Sequence, residues 1–374
     1  MTYWSLLGTP HWRDVGRWWV GSNQPEARKN LGQPEFCPAG NPINQATGNK
    51  FQVESDYTSP LPGGLAFTRY YNSLTPTHGS LGTHWRSHYD RRLDTRYHES
   101  TLTMIRPDGK HYVFWQAARG GWQAEADTAH RLEARLSETG ALSGWAYRDT
   151  DDTLEVYDRQ GRLVSITARG GHTQTLHYDA EQRLETVTGP FGRELHFAYD
   201  AAGRLVAMTD PGAGRYRYDY DAQGNLTAVH TPDASIRHYL YEDPAHPHAL
   251  TGLIDENGTR FATWAYDAEG RAVSSEHAGG AERVGLSYSA NGTTTVTDAL
   301  GAQRSYHFTP RHGVIKPDRI AGDACSNCGG LTQTFSYDAN GRIEAKRDHN
   351  GNLTRYAYNT RGLQISRTEA ADTP

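Results

Sequence analysis

The sequence is poor in the material from which helical bundles and parallel sheets are built. Of its 374 residues only 36% are apolar and three are methionine, while glycine reaches 39 and tyrosine 22. Those folds need near-continuous stretches of Leu, Ile and Val, so a core of that kind is excluded. No apolar run approaches the ~20 residues of a membrane helix. The first residues, MTYWSLLGTPHWRDVGRWWVG, hold Trp4, Trp12, Trp18 and Trp19 without the continuous apolar stretch of a signal peptide. Neither charge sign dominates: 38 basic residues stand against 43 acidic ones with no long block of either, so the basic footprint of a nucleic-acid binder is missing. Cysteine is scarce as well. Cys37, Cys325 and Cys328 are too few and too odd in number for a disulfide framework. A Gly-x-Ser-x-Gly elbow, a P-loop and a dinucleotide fingerprint are all lacking.

What is present is a period. From about residue 150 the pattern Tyr-Asp, two variable residues, Gly-Arg or Gly-Asn, then an apolar residue recurs as YDRQGRL, YDAEQRL, YDAAGRL, YDAQGNL, YDAEGRA, YDANGRI and YNTRGLQ. The leading tyrosines are Tyr157, Tyr178, Tyr199, Tyr220, a degenerate Tyr241, Tyr266, a degenerate Tyr288, Tyr337 and Tyr358; the first five are each 21 residues apart, as are the last two. Within a unit, Arg204 to Thr209 alternates as a strand, Asp210-Pro211-Gly212 turns, and Arg215 to Tyr220 alternates again. Each unit therefore reads as a β-hairpin. The segments Asp200 to Gly203 and Asp221 to Gly224 join one hairpin to the next, since Asp bonds its own downstream backbone and Gly takes positive φ. Each tyrosine is expected to end its strand and point to one face of the sheet.

A lone hairpin cannot bury its apolar face, so successive hairpins pair edge to edge into one long sheet stabilised by tyrosine and aliphatic ladders. Such a sheet twists and coils. Propeller blades need ~40 residues and four strands each, so a period of about half that favours a continuous spiral.

These residues resemble the YD repeats of the Rhs family, a fingerprint shared with teneurins and insecticidal toxin-complex shells. The preceding segments GNPINQATGNKFQVESDY (Gly40 to Tyr57), LAFTRYYNS (Leu65 to Ser73) and LGTHWRSHYDRRL (Leu81 to Leu93) resemble the small β-domain that precedes the repeats in bacterial Rhs proteins. The expected organisation is a Trp-rich extension over 1–36, an Rhs-type β-domain over 37–125, and a YD-repeat array over 126–374. The fold class is all-β, a continuous antiparallel hairpin-repeat sheet. The resemblance implies a spiral, cocoon-like shell around a C-terminal toxin, in a bacterial polymorphic toxin. It implies as partners that toxin, the remaining shell, a secretion-system spike and an immunity protein. The same resemblance implies export from the cytoplasm to the cell surface or beyond, without a recognisable signal peptide. The family's C-terminal core motif and its PAAR-type tip are not found, so the chain is read as a truncated or degenerate copy with an uncapped sheet edge.

Other chemistry competes poorly with structural readings. The signature residues Tyr157, Asp158, Gly161, Tyr178, Asp179, Tyr199, Asp200, Gly203, Tyr220, Asp221, Gly224, Tyr266, Asp267, Gly270, Tyr337, Asp338, Gly341 and Tyr358 have structural duties, which leaves the aspartates no role as paired catalytic carboxylates. Cys325-Ser-Asn-Cys328 has the spacing of half a zinc or redox site, but a tetrahedral site needs four ligands. A loop insertion accounts better for it, because the 49 residues from Tyr288 to Tyr337 exceed two periods by seven. His84 and His88 are spaced as on one helix face, yet their segment alternates like a strand and has no Glu after the first His. An enzyme is thus not expected, nor any cofactor. The remaining alternative is a carbohydrate-binding or adhesion module using the tyrosines as stacking platforms, and exposure of those rings separates it from the scaffold.

Overall fold

The computed structural model of the chain describes residues 29–34, 38–75, 78–98, 100–322 and 332–372. The Trp-rich start, Cys37 and the Cys325/Cys328 knuckle lie outside the described residues.

The alternating segments fold as hairpins, and the hairpins join. Among the described residues a single antiparallel sheet of 22 strands runs from Arg131–Leu136 to Gln364–Thr368, each strand pairing only with its neighbours in sequence. No α-helix occurs among the described residues, and no helix there is long and apolar enough to cross a membrane. In the unit beginning at Tyr199, strand Leu205–Thr209 pairs with Arg215–Tyr220 through Ala207 opposite Arg217 and Met208 opposite Tyr216. Arg215 and Arg217 face water while Tyr216 and Tyr218 are buried, the period-2 outcome of alternating polar and aromatic residues.

The turns between hairpins share one geometry. Asp200 Oδ1 accepts hydrogen bonds from the N–H groups of Ala202 and Arg204, both at 2.9 Å, and Gly203 N–H donates to the Asp200 carbonyl at 3.0 Å with φ of 79°. This is a type I turn followed by a left-handed residue, which inserts an extra residue and leaves a bulge. The bulge falls at the tyrosine, as between Ala198 and Tyr199 or Asp219 and Tyr220.

Ahead of the array lie three smaller sheets. Phe51–Thr58, Ala66–Asn72 and Trp85–Ser87 form one, His78–Gly79 with Gly82–Thr83 a second, and Arg92–His98 to Trp122–Ala124 a four-stranded third. This N-terminal region packs on one face of the long sheet, and a single hydrophobic cluster runs from Ala39 to Leu286. Phe67 meets Phe197 at 5.5 Å between ring centroids, and Trp85 meets Tyr239 at 5.1 Å.

The long sheet curls around that region. Arg361 Nη2 reaches Asp152 at 3.4 Å although 209 residues separate them, close to ten periods of the repeat. About 20 strands at ~4.8 Å spacing give a perimeter of about 95 Å, hence a turn about 30 Å across. The N-terminal region, in contact with strands nearly all the way round, occupies the concave side.

Candidate functional site: the inter-repeat clamp and the docking face

Each signature motif binds the motif after it. The aspartate first organises its own turn: Asp158 Oδ1 accepts from Gln160 N and Arg162 N, and Oδ2 accepts from Arg162 Nε at 2.8 Å. Asp179, Asp200 and Asp267 hold Arg183, Arg204 and Arg271 in the same way. Asp338 repeats the backbone part of this cap towards Asn340 and Arg342. Burial works against the Asp200 carboxylate, yet the Arg204 and Ala202 N–H groups and the Arg204 guanidinium hold it below the usual carboxylate range.

The arginine fixed in this way covers the next tyrosine. Arg162 lies 4.8 Å from the Tyr178 ring, Arg183 5.3 Å from Tyr199, Arg204 4.9 Å from Tyr220, Arg271 4.5 Å from Tyr288 and Arg342 5.7 Å from Tyr358. The tyrosine hydroxyl then donates back to the earlier unit: Tyr178 to the Leu163 carbonyl at 2.7 Å, Tyr199 to Leu184 at 2.8 Å, Tyr220 to Leu205 at 2.7 Å, Tyr266 to Leu250 at 2.8 Å and Tyr358 to Ile343 at 2.9 Å. Tyr337 does the same to Pro317 across the long gap. Asp, Arg, Tyr and a backbone carbonyl therefore make one clamp in each regular period. As expected, Tyr178, Tyr199 and Tyr220 end their strands in step with the buried residues before them and pack against the core, but in these units an arginine rather than a neighbouring tyrosine covers the ring. The same cover removes the open stacking platform that glycan binding by these rings requires. The arginines were in the motif, four residues after each aspartate, but periodicity alone assigned them no partner.

The N-terminal region meets the array through backbone and buried charge. Leu93 N–H donates to Gly161 O at 2.9 Å, Thr83 N–H to Gly224 O at 3.0 Å, Leu205 N–H to Ser80 O at 2.7 Å and Ala272 N–H to Gly48 O at 2.8 Å, so turn after turn is gripped by its main chain. The five turn glycines Gly161, Gly203, Gly224, Gly270 and Gly341 all have positive φ. At Gly161 there is also no room, for a Cβ would stand 1.8 Å from the Leu93 carbonyl oxygen.

Two polar clusters lie beneath these contacts. Arg69 forks onto Asp56 with two 2.8 Å bonds and donates to Tyr239 Oη, while Tyr218 Oη donates to the same carboxylate at 2.9 Å. Glu155, fully buried on the first repeat strand, accepts from Arg91, Arg106 and the Tyr157 hydroxyl. Burial would raise the Glu155 pKa, but the two guanidiniums outweigh it and hold the group at about 2. Tyr157 therefore serves this cluster rather than a carbonyl clamp. His88 places Nε2 3.0 Å from Arg91 Nη2; burial and that arginine lower its pKa to about 3. His84 sits at φ of 65° beside Trp85.

The degenerate unit has its own task. Asn225 replaces the clamp arginine and bonds Asp221, the Pro247 carbonyl and His248. Tyr241, left without an arginine, accepts from Trp85 Nε1 at 2.9 Å. Tyr71 Oη donates to His248 O and accepts from Leu250 N–H. The 25 residues from Tyr241 to Tyr266, four over the period, supply this socket.

Two families match the sequence. A domain of unknown function, DUF6531, matches residues 40–114. The RHS repeat matches residues 157–194, 199–236 and 337–374. Among solved structures, the chain is similar to the pore form of the Photorhabdus luminescens Tc holotoxin, with 13% identity and a TM-score of 0.39 over 73% of this chain and 19% of that one. It is also similar to TcdB2-TccC3 without its hypervariable C-terminal region, with 11% identity and a TM-score of 0.40 over 86% of this chain and 22% of that one. The chain thus spans about a fifth of the length of these solved chains. No curated protein matches it.

Proposed function

The chain is an RHS-repeat protein whose repeats build a structural scaffold, and we propose that this scaffold is part of a shell enclosing a C-terminal toxin domain in a bacterial polymorphic toxin. The observation that carries the proposal is the clamp. Because the same Asp–Arg–Tyr–carbonyl contact joins unit to unit, added units extend the wall with unchanged local geometry. A wall that curls through a turn in about ten periods becomes a coil as it lengthens, not a flat ribbon. Here the concave side of the first turn is taken up by the N-terminal region, whose buried arginines and aromatic rings fasten it in place. This turn acts as the closed end, and cargo occupies the space within later turns. The partners of this reading are the toxin domain and the rest of the shell, and the assembly works outside the cell that makes it.

Protease protection tests the proposal. In a protein carrying this array followed by its C-terminal domain, that domain should stay intact at protease concentrations that digest the same domain expressed alone. Unfolding the array in denaturant should abolish the protection. Digestion at equal rates in both settings would refute enclosure and leave only the scaffold.

A further inference from the structure

We infer that residues 29–31 form a strap that fastens the first turn of the sheet shut by capturing the tip of an extended hairpin. Among the described residues the hairpin is the longest of the late array. Its strands Gln303–Arg311 and Val314–Gly322 have nine residues each, where Leu205–Thr209 and Arg215–Tyr220 have five and six. They stay paired from Arg304 opposite Gly322 to Arg311 opposite Val314. His312 and Gly313, at φ of 49° and 78°, make the two-residue turn at the end. The extra length carries this tip beyond the neighbouring turns to the start of the array.

The strap meets it there. Asn30 Nδ2 donates to Gly313 O at 3.0 Å and Asn30 Oδ1 accepts from Ile315 N–H at 2.9 Å, so one side-chain amide pairs with the hairpin edge as a strand would. Lys29 Nζ donates to His312 O at 2.7 Å and to both Asp127 oxygens at 3.2 and 3.1 Å, and also contacts Glu125. One ammonium thereby ties the hairpin tip to the residues just ahead of the first long-sheet strand. Lys29, Asn30 and Leu31 are 6%, 7% and 6% exposed, too well covered for a loosely lying tail. Behind them, Gly32 N–H donates to Asn72 Oδ1 at 2.8 Å, which anchors the strap in the N-terminal region.

Elsewhere among the described residues the junction is more exposed. Arg361 and Asp152 bridge it with side chains 46% and 29% exposed, and a pair so wet holds little. Between them and the strap an open cleft, lined by Lys29 and Asp127 on one side and by Thr150, Lys316, Arg342 and Arg361 beyond, lies between the two ends of the turn. The strap is therefore the well-covered link across the junction, beside an exposed ion pair and a cleft, so releasing it parts the turn along one line while clamps and docking contacts persist.

The test combines Lys29→Met with Asn30→Leu in the full chain. Spin labels at Asp151→Cys and Thr360→Cys, with the three native cysteines changed to serine, report the width of the junction. The distance distribution should be narrow and short in the parent and longer and broader in the double variant. Amide exchange at Ile315, whose N–H the strap accepts, should rise about tenfold or more, with Leu195–Tyr199 and Leu226–His230 unchanged. Lys29→Arg, which keeps the charge, should retain the parent behaviour in both readouts. An unchanged distance distribution, or exchange that rises uniformly along the sheet as in a misfolded variant while Lys29→Arg behaves likewise, would overturn the strap.

Discussion

Replacing Gly161, Gly203 and Gln182 in turn separates two demands that the repeat turn makes on one position. All three residues sit at the left-handed place of equivalent turns, at φ of 79°, 79° and 65°. At Gly203 a Cβ would find nothing within 4 Å, so Gly203→Ala faces only the left-handed backbone, about 1–2 kcal/mol, partly offset by the stiffer unfolded chain. At Gly161 the added carbon would stand 1.8 Å from the Leu93 carbonyl oxygen, and main chain must move by more than an ångström to admit it. That movement breaks the 2.9 Å bond from Leu93 N–H to Gly161 O, about 1 kcal/mol, and disturbs the fully buried Leu93, a further 1–3 kcal/mol or so. Gly161→Ala should therefore cost about 3–5 kcal/mol, against about 1 for Gly203→Ala. Gln182→Gly runs the other way, relieving strain for a net gain of up to about 1 kcal/mol. Urea unfolding followed by tryptophan fluorescence, with Trp85 and Trp264 buried at the docking face, reads all three. Equal losses at 161 and 203 would refute the close approach of Leu93 and with it the seating of the N-terminal region on the array.

Two further outcomes follow from the clamp and the buried charge. Tyr178→Phe, Tyr199→Phe and Tyr220→Phe each remove one hydroxyl bonded to a carbonyl at 2.7–2.8 Å, so each should cost about 1–2 kcal/mol and the three should agree within about 0.5; thermal melts giving widely different losses would show that the clamp is not a repeated unit. Acid should loosen the docking face in two stages. His88 and His130, with pKa values lowered to about 3 and about 4 from 6.5, give stability that is complete above pH 6.5 and lost as the pH falls towards those values, and Glu155 gives stability complete above its ordinary 4.5 and lost towards pH 2. Glu155→Gln, at about 3–5 kcal/mol near neutrality, should abolish the lower stage and spare the upper, as followed by melting temperature against pH.

The array was legible because its punctuation is local. An aspartate capping N–H groups two and four residues ahead, with a glycine at positive φ between them, writes each turn into five adjacent residues, and the period repeats the message until its register is plain. The clamp was half legible: its tyrosine and aspartate announced themselves, but the arginine covers a ring sixteen residues downstream, and no propensity connects the two. The docking face was not legible at all. Arg69 answers to Asp56 nearby but also to Tyr239, 170 residues away, and Lys29 to His312, 283 residues away. Such partners are chosen by the curl of the sheet, which arises only once many strands have added their twist. The excess of seven residues before Tyr337 points to an insertion, and the segment that holds it also carries a lengthened hairpin whose tip has a partner that length alone does not reveal.

The Asn225–Tyr241 unit bears on a difficulty that any strictly periodic wall faces. A partner lying along identical units has near-equivalent resting places one period apart, about two strand spacings or 10 Å, and could settle in the wrong one. Trp85 finds its hydrogen-bonding tyrosine at one irregular unit, and Tyr71 finds its two backbone partners beside it. Broken translational symmetry at that unit gives the wall an origin from which positions can be counted. Restoring the consensus there, Asn225→Arg with the four extra residues removed, would produce a more regular protein with a less certain zero point.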